Sequence, residues 1–182
     1  MKIYAETDRL ILREILPEDE AGFFEMDSDP EVHKYLGNNP VTSIEQIREV
    51  IKMIRQQYID NGIARWAMIE KSSGHFVGWS GLKLVKEMHN QHINYVDLGY
   101  RLLRKYWGHG YATESATAAR DYAFQTMNLT ELIGVTDSGN LGSQNVLTKI
   151  GFQFVEQYEE DGMVLNWYRL RVASLLFDDL MI

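Results

Sequence analysis

One run of the sequence has the residue types and spacing to hold an anion: Tyr100-Arg-Leu-Leu-Arg-Lys-Tyr-Trp-Gly-His-Gly-Tyr-Ala-Thr-Glu114. A strand-like stretch leads into two glycines one residue apart, and helix-forming residues follow. Gly108 and Gly110 carry no Cβ, so the backbone can turn sharply and let an anion approach. The N–H groups of such a turn, and the helix N-terminus behind it, point at a phosphate. Lys105 can add a charge-assisted contact. The same glycines also suit a tight turn that binds nothing, and a short motif leaves both readings open.

Two familiar anion-binding patterns fail on this run. A P-loop needs G-x-x-x-x-G-K-S/T, which the sequence lacks. A dinucleotide fingerprint needs a third glycine, but Thr113 stands there, and the run follows a strand meander rather than opening a βαβ unit. Just upstream, period two puts Tyr95, Asp97 and Gly99 on one strand face. A carboxylate there is either an acceptor paired to a nearby donor or a proton-transfer group. Glu114 reads as a tether for its helix. The five histidines show no ligand spacing and there is no cysteine, so no metal is expected.

The elements that must position these residues follow from periodicity. Arg9–Arg13 is a short strand, closed by Pro17. Pro17 with Glu18, Asp19 and Glu20 opens a helix that buries Phe23, Phe24 and Met26. Ser43 and Gln46 have capping-box spacing, and Ile44, Ile47, Ile51, Ile54 and Tyr58 form the apolar stripe of a second helix, ended by Asn61-Gly62. Strands are expected at Arg65–Glu70, His75–Leu84 and Asn94–Leu103, joined by short connections that favour an antiparallel meander. After the glycine turn come a helix through about Gln125, a strand Glu131–Asp137, a helix from about Gly142 to Ile150 stopped by Gly151, and a hairpin around Asp161-Gly162. The tail from Ala173 is apolar and acidic and carries no assignment. With no repeat or linker, residues 1–182 read as one domain.

Composition narrows the classes. The chain has 182 residues, 45% of them hydrophobic and 24% charged, as in an ordinary globule. No apolar run reaches the ~20 residues a membrane span needs, and the first residues do not read as a secretory signal, so a cytoplasmic protein is expected. A net charge of −8 argues against a broad nucleic-acid footprint. The acidic surface serves solubility, or steers a cationic partner.

Lys105-Tyr-Trp-Gly108-His-Gly110 resembles the Gln/Arg-x-x-Gly-x-Gly/Ala motif of the Gcn5-related N-acetyltransferases, with Lys105 where that superfamily prefers Gln or Arg. Within it, Trp107–Glu114 is similar to the Trp-Gly-x-Gly-Tyr-Ala-x-Glu run of the ribosomal-protein N-terminal acetyltransferases. Thr7–Arg13 looks like that branch's opening strand, and Asn140–Phe152 is similar to its fourth-helix motif. The resemblance covers roughly Thr7 to Leu170. It implies an α+β fold: a mixed, mostly antiparallel sheet of six to seven strands, about four helices, and a parallel pair, strands four and five, that splays apart.

The resemblance also implies a cofactor and its contacts. Acetyl-CoA would thread its pantetheine arm into the splay, along the backbone of Tyr100, Arg101, Leu102 and Leu103. Its pyrophosphate would rest near Lys105 and on amides around Trp107, Gly108, His109, Gly110, Tyr111 and Ala112. Asn140 would contact the pantetheine, with Asn145 and Lys149 near the cofactor; capping and solvated charge are their alternative readings. The acceptor would be an amine, either a peptide N-terminus or a small cationic amine. Many superfamily members place a proton-donating tyrosine seven residues after the asparagine, but Leu147 stands there. The branch's candidate is a serine three residues on, here Ser143, which also suits helix capping. Asp97 is the candidate base.

An N-acetyltransferase is thus the first reading. A non-catalytic acyl-CoA sensor is the second, and a nucleotide-dependent oxidoreductase, without its third glycine, the third. Acceptor choice is expected to lie in residues 27–42, 86–92 and 156–162. Trp66, Trp79, Trp107 and Trp167 are core or rim aromatics, and the first two could line the acceptor pocket. Either a monomer or a homodimer is compatible with the apolar tail.

Overall fold

The computed structural model describes residues 1–172. Eight strands make one sheet: β1 (Ile3–Glu6), β2 (Leu10–Glu14), β3 (Arg65–Glu70), β4 (Phe76–Val85), β5 (Tyr95–Leu102), β6 (Glu131–Asp137), β7 (Gln153–Glu160) and β8 (Met163–Arg171). Their spatial order is β1-β2-β3-β4-β5-β6-β8-β7. Among the described residues every neighbouring pair is antiparallel except β5 and β6.

The expected six to seven strands are therefore eight. The added strand is β1, which folds back on β2 through a turn in which the Thr7 N–H donates to the Leu10 carbonyl. The expected strands four and five are β5 and β6 once β1 is counted. Five α-helices replace the expected four: α1 (Glu20–Asp27), α2 (Pro30–His33), α3 (Ile44–Asn61), α4 (Tyr111–Asp121) and α5 (Leu141–Lys149). The extra one, α2, is a single turn in the connection between α1 and α3. Pro30 starts it and Asp29 caps it, accepting from the Glu31 N–H.

Period-3.6 patterning puts Ile47, Ile51 and Ile54 of α3 into a core with Ile15, Phe23, Met26, Ala67 and Leu103. Gln46 accepts from the Ser43 N–H at its start, and Gly62, with φ of 68°, ends it. The opposite sheet face carries the larger core. There Leu12, Met68, Leu82, Leu98 and Leu102 meet α4 and α5. Ala116, Ala119 and Ala123 are fully buried, so small side chains let the chain after the glycine turn lie close on the sheet. Past α4, Tyr122–Thr126 widens into one π-helical turn. Asp161 and Gly162 both have positive φ, as a two-residue type I′ hairpin requires. The tail that begins at Ala173 lies outside the described residues. None of the described helices is long and apolar enough to cross a membrane.

Candidate active site

The parallel pair is the opening in the sheet. β5 and β6 register at a single position, Asp97 opposite Ile133. Beyond it, Gly99–Leu102 of β5 pairs with β4 on one side and has no strand partner on the β6 side. The edge there keeps unpaired backbone donors and acceptors, which an extended chain can match.

The glycine turn lies at the end of that edge. Gly108 and Gly110 have φ of 78° and 82°, in the left-handed region that favours glycine. Gly110 is the N-cap of α4, and no side chain caps the helix, so its first-turn amides are left for another partner. A Cβ at Gly108 would meet nothing, and one at Gly110 would lie 3.4 Å from the Arg9 guanidinium. Arg9 braces the turn from outside: its Nη1 donates to the His109 carbonyl at 2.9 Å and its Nε to Glu114 Oε2 at 2.7 Å. Glu114 is the expected tether. It also accepts from the Thr7 hydroxyl and the Arg9 N–H. Burial pushes the Glu114 carboxyl up, but these hydrogen bonds and the Arg9 charge together hold it below the usual carboxylate range. Trp107 folds back so that its indole N–H donates to the Leu102 carbonyl at 3.0 Å.

The other wall of the opening is the start of α5. Asn140 caps it, its Oδ1 accepting from the Ser143 N–H at 3.1 Å. From β5, the Tyr100 hydroxyl lies 2.9 Å from the Ser143 carbonyl oxygen and 3.0 Å from Ser143 Oγ. Leu147 is buried against Gly134.

Charges on the opposite face are paired with one another. Arg65 forms an ion pair with Asp97, and its Nη1 donates to the carbonyls of Gly81 and Asp97. Arg101 donates to Asp27 Oδ1 at 2.8 Å, and buried His33 lies 3.7 Å from the same oxygen. Trp79 stands between the two guanidinium groups, each 5.2 Å from its ring. Beside Asp97, at the amino ends of β5 and β6, is a cavity of about 280 Å³ lined by His92, Tyr95, Thr130, Glu131, Ile133 and Trp167. The 86–94 loop closes over it. His92 stacks on Trp167 at 4.8 Å, His89 bonds Glu160 at 2.9 Å, and Asn90 donates to Glu156 at 2.9 Å.

The fold thus brings most of the expected residues to one opening. Tyr100 and Arg101 are on the unpaired edge, with Leu102 and Leu103 buried at its end. Gly108 to Ala112 form the turn, and Asn140 and Ser143 the facing wall. Other positions carry different contacts. Lys105 pairs with Glu25 at 2.8 Å, Tyr111 donates to Glu70, and Asn145 and Lys149 are exposed on α5. Of the four tryptophans expected in the core or rim, Trp66, stacked on Tyr4 at 4.7 Å, and Trp167 are core, Trp79 is partly exposed and Trp107 is exposed. Sequence reasoning missed Arg65, His33 and the side chain of Tyr100. Arg65 meets Asp97 across 32 residues and Tyr100 meets Ser143 across 43. Asp27, in the stretch expected to choose the acceptor, is buried against Arg101. Among the described residues no cluster of three His, Asp or Glu side chains could hold a metal. The uncapped helix start beside an unpaired strand edge fits a diphosphate on an extended amide-bearing arm.

Comparison with known proteins gives the family. Residues 9–153 match the acetyltransferase (GNAT) domain family. An uncharacterized N-acetyltransferase, p20, of Bacillus licheniformis is 31% identical over 166 residues, which is 89% of this chain and 91% of that protein. Among solved structures, spermidine N-acetyltransferase from Vibrio cholerae, bound to CoA and spermine, superposes with a TM-score of 0.76 at 16% identity over 93% of this chain and 99% of the other. Ribosomal-protein-S5-alanine acetyltransferase from Vibrio fischeri gives 0.74 at 14% identity over 92% and 95%. At these identities the two structures speak for the fold alone. The family match and the p20 relative carry the assignment: the chain belongs to the GNAT acetyltransferase family.

Proposed function

We propose that the protein moves an acetyl group from acetyl-CoA onto a primary amine within a ternary complex. The observation that carries this reading is the uncapped start of α4 at two left-handed glycines, beside the unpaired edge of β5. Acetyl-CoA would supply an activated acetyl thioester, whose carbonyl carbon takes the amine nitrogen while the C–S bond breaks and sulfur keeps the electron pair. The amine loses a proton and the sulfur gains one, so the protein needs an acceptor and a donor of protons but no oxidant. With no cysteine in the chain, direct attack is the simplest scheme.

Each part of the site then has a task. Amides of Gly108–Ala112 bind the pyrophosphate, and the β5 edge at Tyr100–Leu103 binds the amide-bearing arm. An alkylamine of pKa near ~10 arrives protonated and so sheds two protons in all. Asp97, held by Arg65, takes the one that must leave before attack. The one lost after attack matches the proton the sulfur gains. Ser143, at the start of α5, donates a hydrogen bond to the departing sulfur. Trp107–Glu114 and Ser143 support the ribosomal-protein branch, and therefore a peptide N-terminus as acceptor. Asp29, Glu31, Glu159, Glu160 and Asp161 equally suit a small cationic amine, whereas Asp27 is buried against Arg101.

Calorimetric titration with acetyl-CoA, with NAD as control, tests the reading. Ligand at about 100 times its Kd stabilises the fold by ~2.7 kcal/mol, moving the thermal midpoint by several degrees. Release of coenzyme A is then followed with a peptide bearing an N-terminal serine, one bearing an N-terminal alanine, and spermidine. Binding with turnover on one of these is expected. No acetyl-CoA binding, or equal binding of NAD, would overturn the proposal.

A further inference from the structure

Tyr100 does more than lend its backbone to the strand edge. It stands on β5 beyond the one point where β5 and β6 register, so it belongs to one wall of the opening. Its hydroxyl reaches the other wall, 2.9 Å from the Ser143 carbonyl oxygen and 3.0 Å from Ser143 Oγ in the first turn of α5. No other side-chain hydrogen bond among the described residues joins β5 to α5. A phenol has one proton to give, and a carbonyl can only accept. When Tyr100 donates to the Ser143 carbonyl, the contact at Oγ must run the other way, with the serine proton toward the phenol oxygen. When the phenol donates to Oγ instead, the serine oxygen is held by an accepted hydrogen bond and its own proton is left free for the opening. Burial, the largest influence, pushes the Tyr100 phenol far up, so it stays protonated and neutral across the physiological range.

The rest of the wall shows why this pair matters. Leu147 is 1% exposed, and a Cβ added to Gly134 would come within 2.9 Å of its methyl group. Leu147 thus fills the next turn of α5 with an apolar side chain, and the phenol that reaches Ser143 comes from β5.

Resting on the acetyl-transfer reading above, we propose that Tyr100 is a positioning residue: it fixes the Ser143 hydroxyl so that it donates to the sulfur leaving the acyl group. Tyr100 acts through Ser143, and the two form one functional unit.

The test uses Tyr100→Phe, Ser143→Ala, Ser143→Thr and the double variant Tyr100→Phe/Ser143→Ala. Acetyl transfer is followed on whichever of the three amines gives the highest wild-type rate. Tyr100→Phe is expected to lower kcat about tenfold, roughly 1.4 kcal/mol, with KM for acetyl-CoA unchanged. Ser143→Ala should lose as much or more, Ser143→Thr should keep most of the rate, and the double variant should be no slower than Ser143→Ala. A second readout needs no turnover. Coenzyme A carries a free thiol of pKa near ~8.5. A donor at the sulfur favours the thiolate, so wild-type affinity for coenzyme A, relative to acetyl-CoA, should rise between pH 7 and 9. Tyr100→Phe and Ser143→Ala should abolish that rise. Wild-type kcat in Tyr100→Phe, multiplying losses in the double variant, or an unchanged pH rise would overturn the pairing. If Tyr100→Phe does not fold, Ser143→Ala with full kcat and an intact pH rise overturns it alone. Failure of the acetyl-transfer reading looks different, because the wild-type protein itself then releases no coenzyme A.

Discussion

The two faces of the sheet treat polar groups in opposite ways. On the face of α4 and α5, donors are left open: α4 starts at a glycine with no side-chain cap, and the neighbouring β5 edge lacks a strand partner beyond Asp97. On the other face, Arg65 holds Asp97, Arg101 holds Asp27, and Trp79 lies between the two guanidinium groups. Open backbone amides are cheap to keep at an exposed turn, where water serves them between ligands. Half-buried side-chain charges without partners are costly. Under the acetyl-transfer reading, the open side would take an anion without displacing anything, and the closed side a cation only by displacing an internal partner. Even within the first face the contrast repeats, since α5 spends Asn140 on its own Ser143 amide while α4 has no such cap.

The largest expected effect attacks the open side. Gly110→Glu places a carboxylate at the turn and forces φ of 82° on a residue with a Cβ. We expect acetyl-CoA affinity to fall at least a hundredfold, about 3 kcal/mol, by calorimetry. Unchanged affinity would remove the diphosphate from that turn. Next is the closed side. Asp97→Asn leaves the Arg65 guanidinium, 12% exposed, without its charge partner. We expect a loss of ~2 kcal/mol in urea unfolding, below the range for fully buried pairs because both groups are partly solvated. Turnover should fall further than that loss explains, while acetyl-CoA affinity holds. If rate and pH profile stay the same, Asp97 is structural only.

Asn140→Ala sharpens the comparison between the two helix starts. Removing a cap costs ~1 kcal/mol, a drop of a few degrees in the thermal midpoint. A simultaneous rise in the acetyl-CoA Kd marks Asn140 as a cofactor contact too, and an unchanged Kd makes it a cap alone. The smallest effect is a pH slope. Burial, then the Arg101 charge, hold the His33 imidazole below its ordinary value, against the pull of Asp27. Near pH 6.5 the unfolded chain therefore binds more protons than the folded one, and stability falls as pH drops below that value. The thermal midpoint of His33→Gln should fall less between pH 7 and 5 than that of the wild type. An equal fall would clear His33 of any part in it.

What could be read from sequence alone divides along the same line. The α3 stripe, the Asp161-Gly162 hairpin and the glycine turn are local patterns, in which neighbours along the chain decide the outcome. β1 was missed because Ile3–Glu6 is too short to show period two, and it is a strand only through its pairing with β2. At the site, the backbone groups around Gly108 and Gly110 were legible because glycine spacing is itself the signal. The side-chain partners were not: Arg65 meets Asp97 across 32 residues and Arg101 meets Asp27 across 74, through strand register and the packing of α1 that no local pattern encodes. Lys105 could be marked as an anion ligand from its place beside the turn, yet it lies against Glu25 of α1 for the same reason.

The 86–94 loop is fastened by contacts that are each weak. His89 and Glu160 are 38% and 28% exposed, the Asn90–Glu156 bond lies at the surface, and the His92 ring adds one stacking contact. Together such contacts are worth about 2 kcal/mol. A 2 kcal/mol latch leaves roughly one molecule in thirty unlatched at any instant. A slim ligand that reaches the cavity by Tyr95 and Trp167 with the loop in place is unaffected. A bulky one that needs the loop lifted binds only that minority, and its apparent affinity is weaker by about thirtyfold. Fastening of this strength would act on a ligand of that cavity through KM rather than by exclusion, and loss of the His89–Glu160 contact would raise the unlatched share.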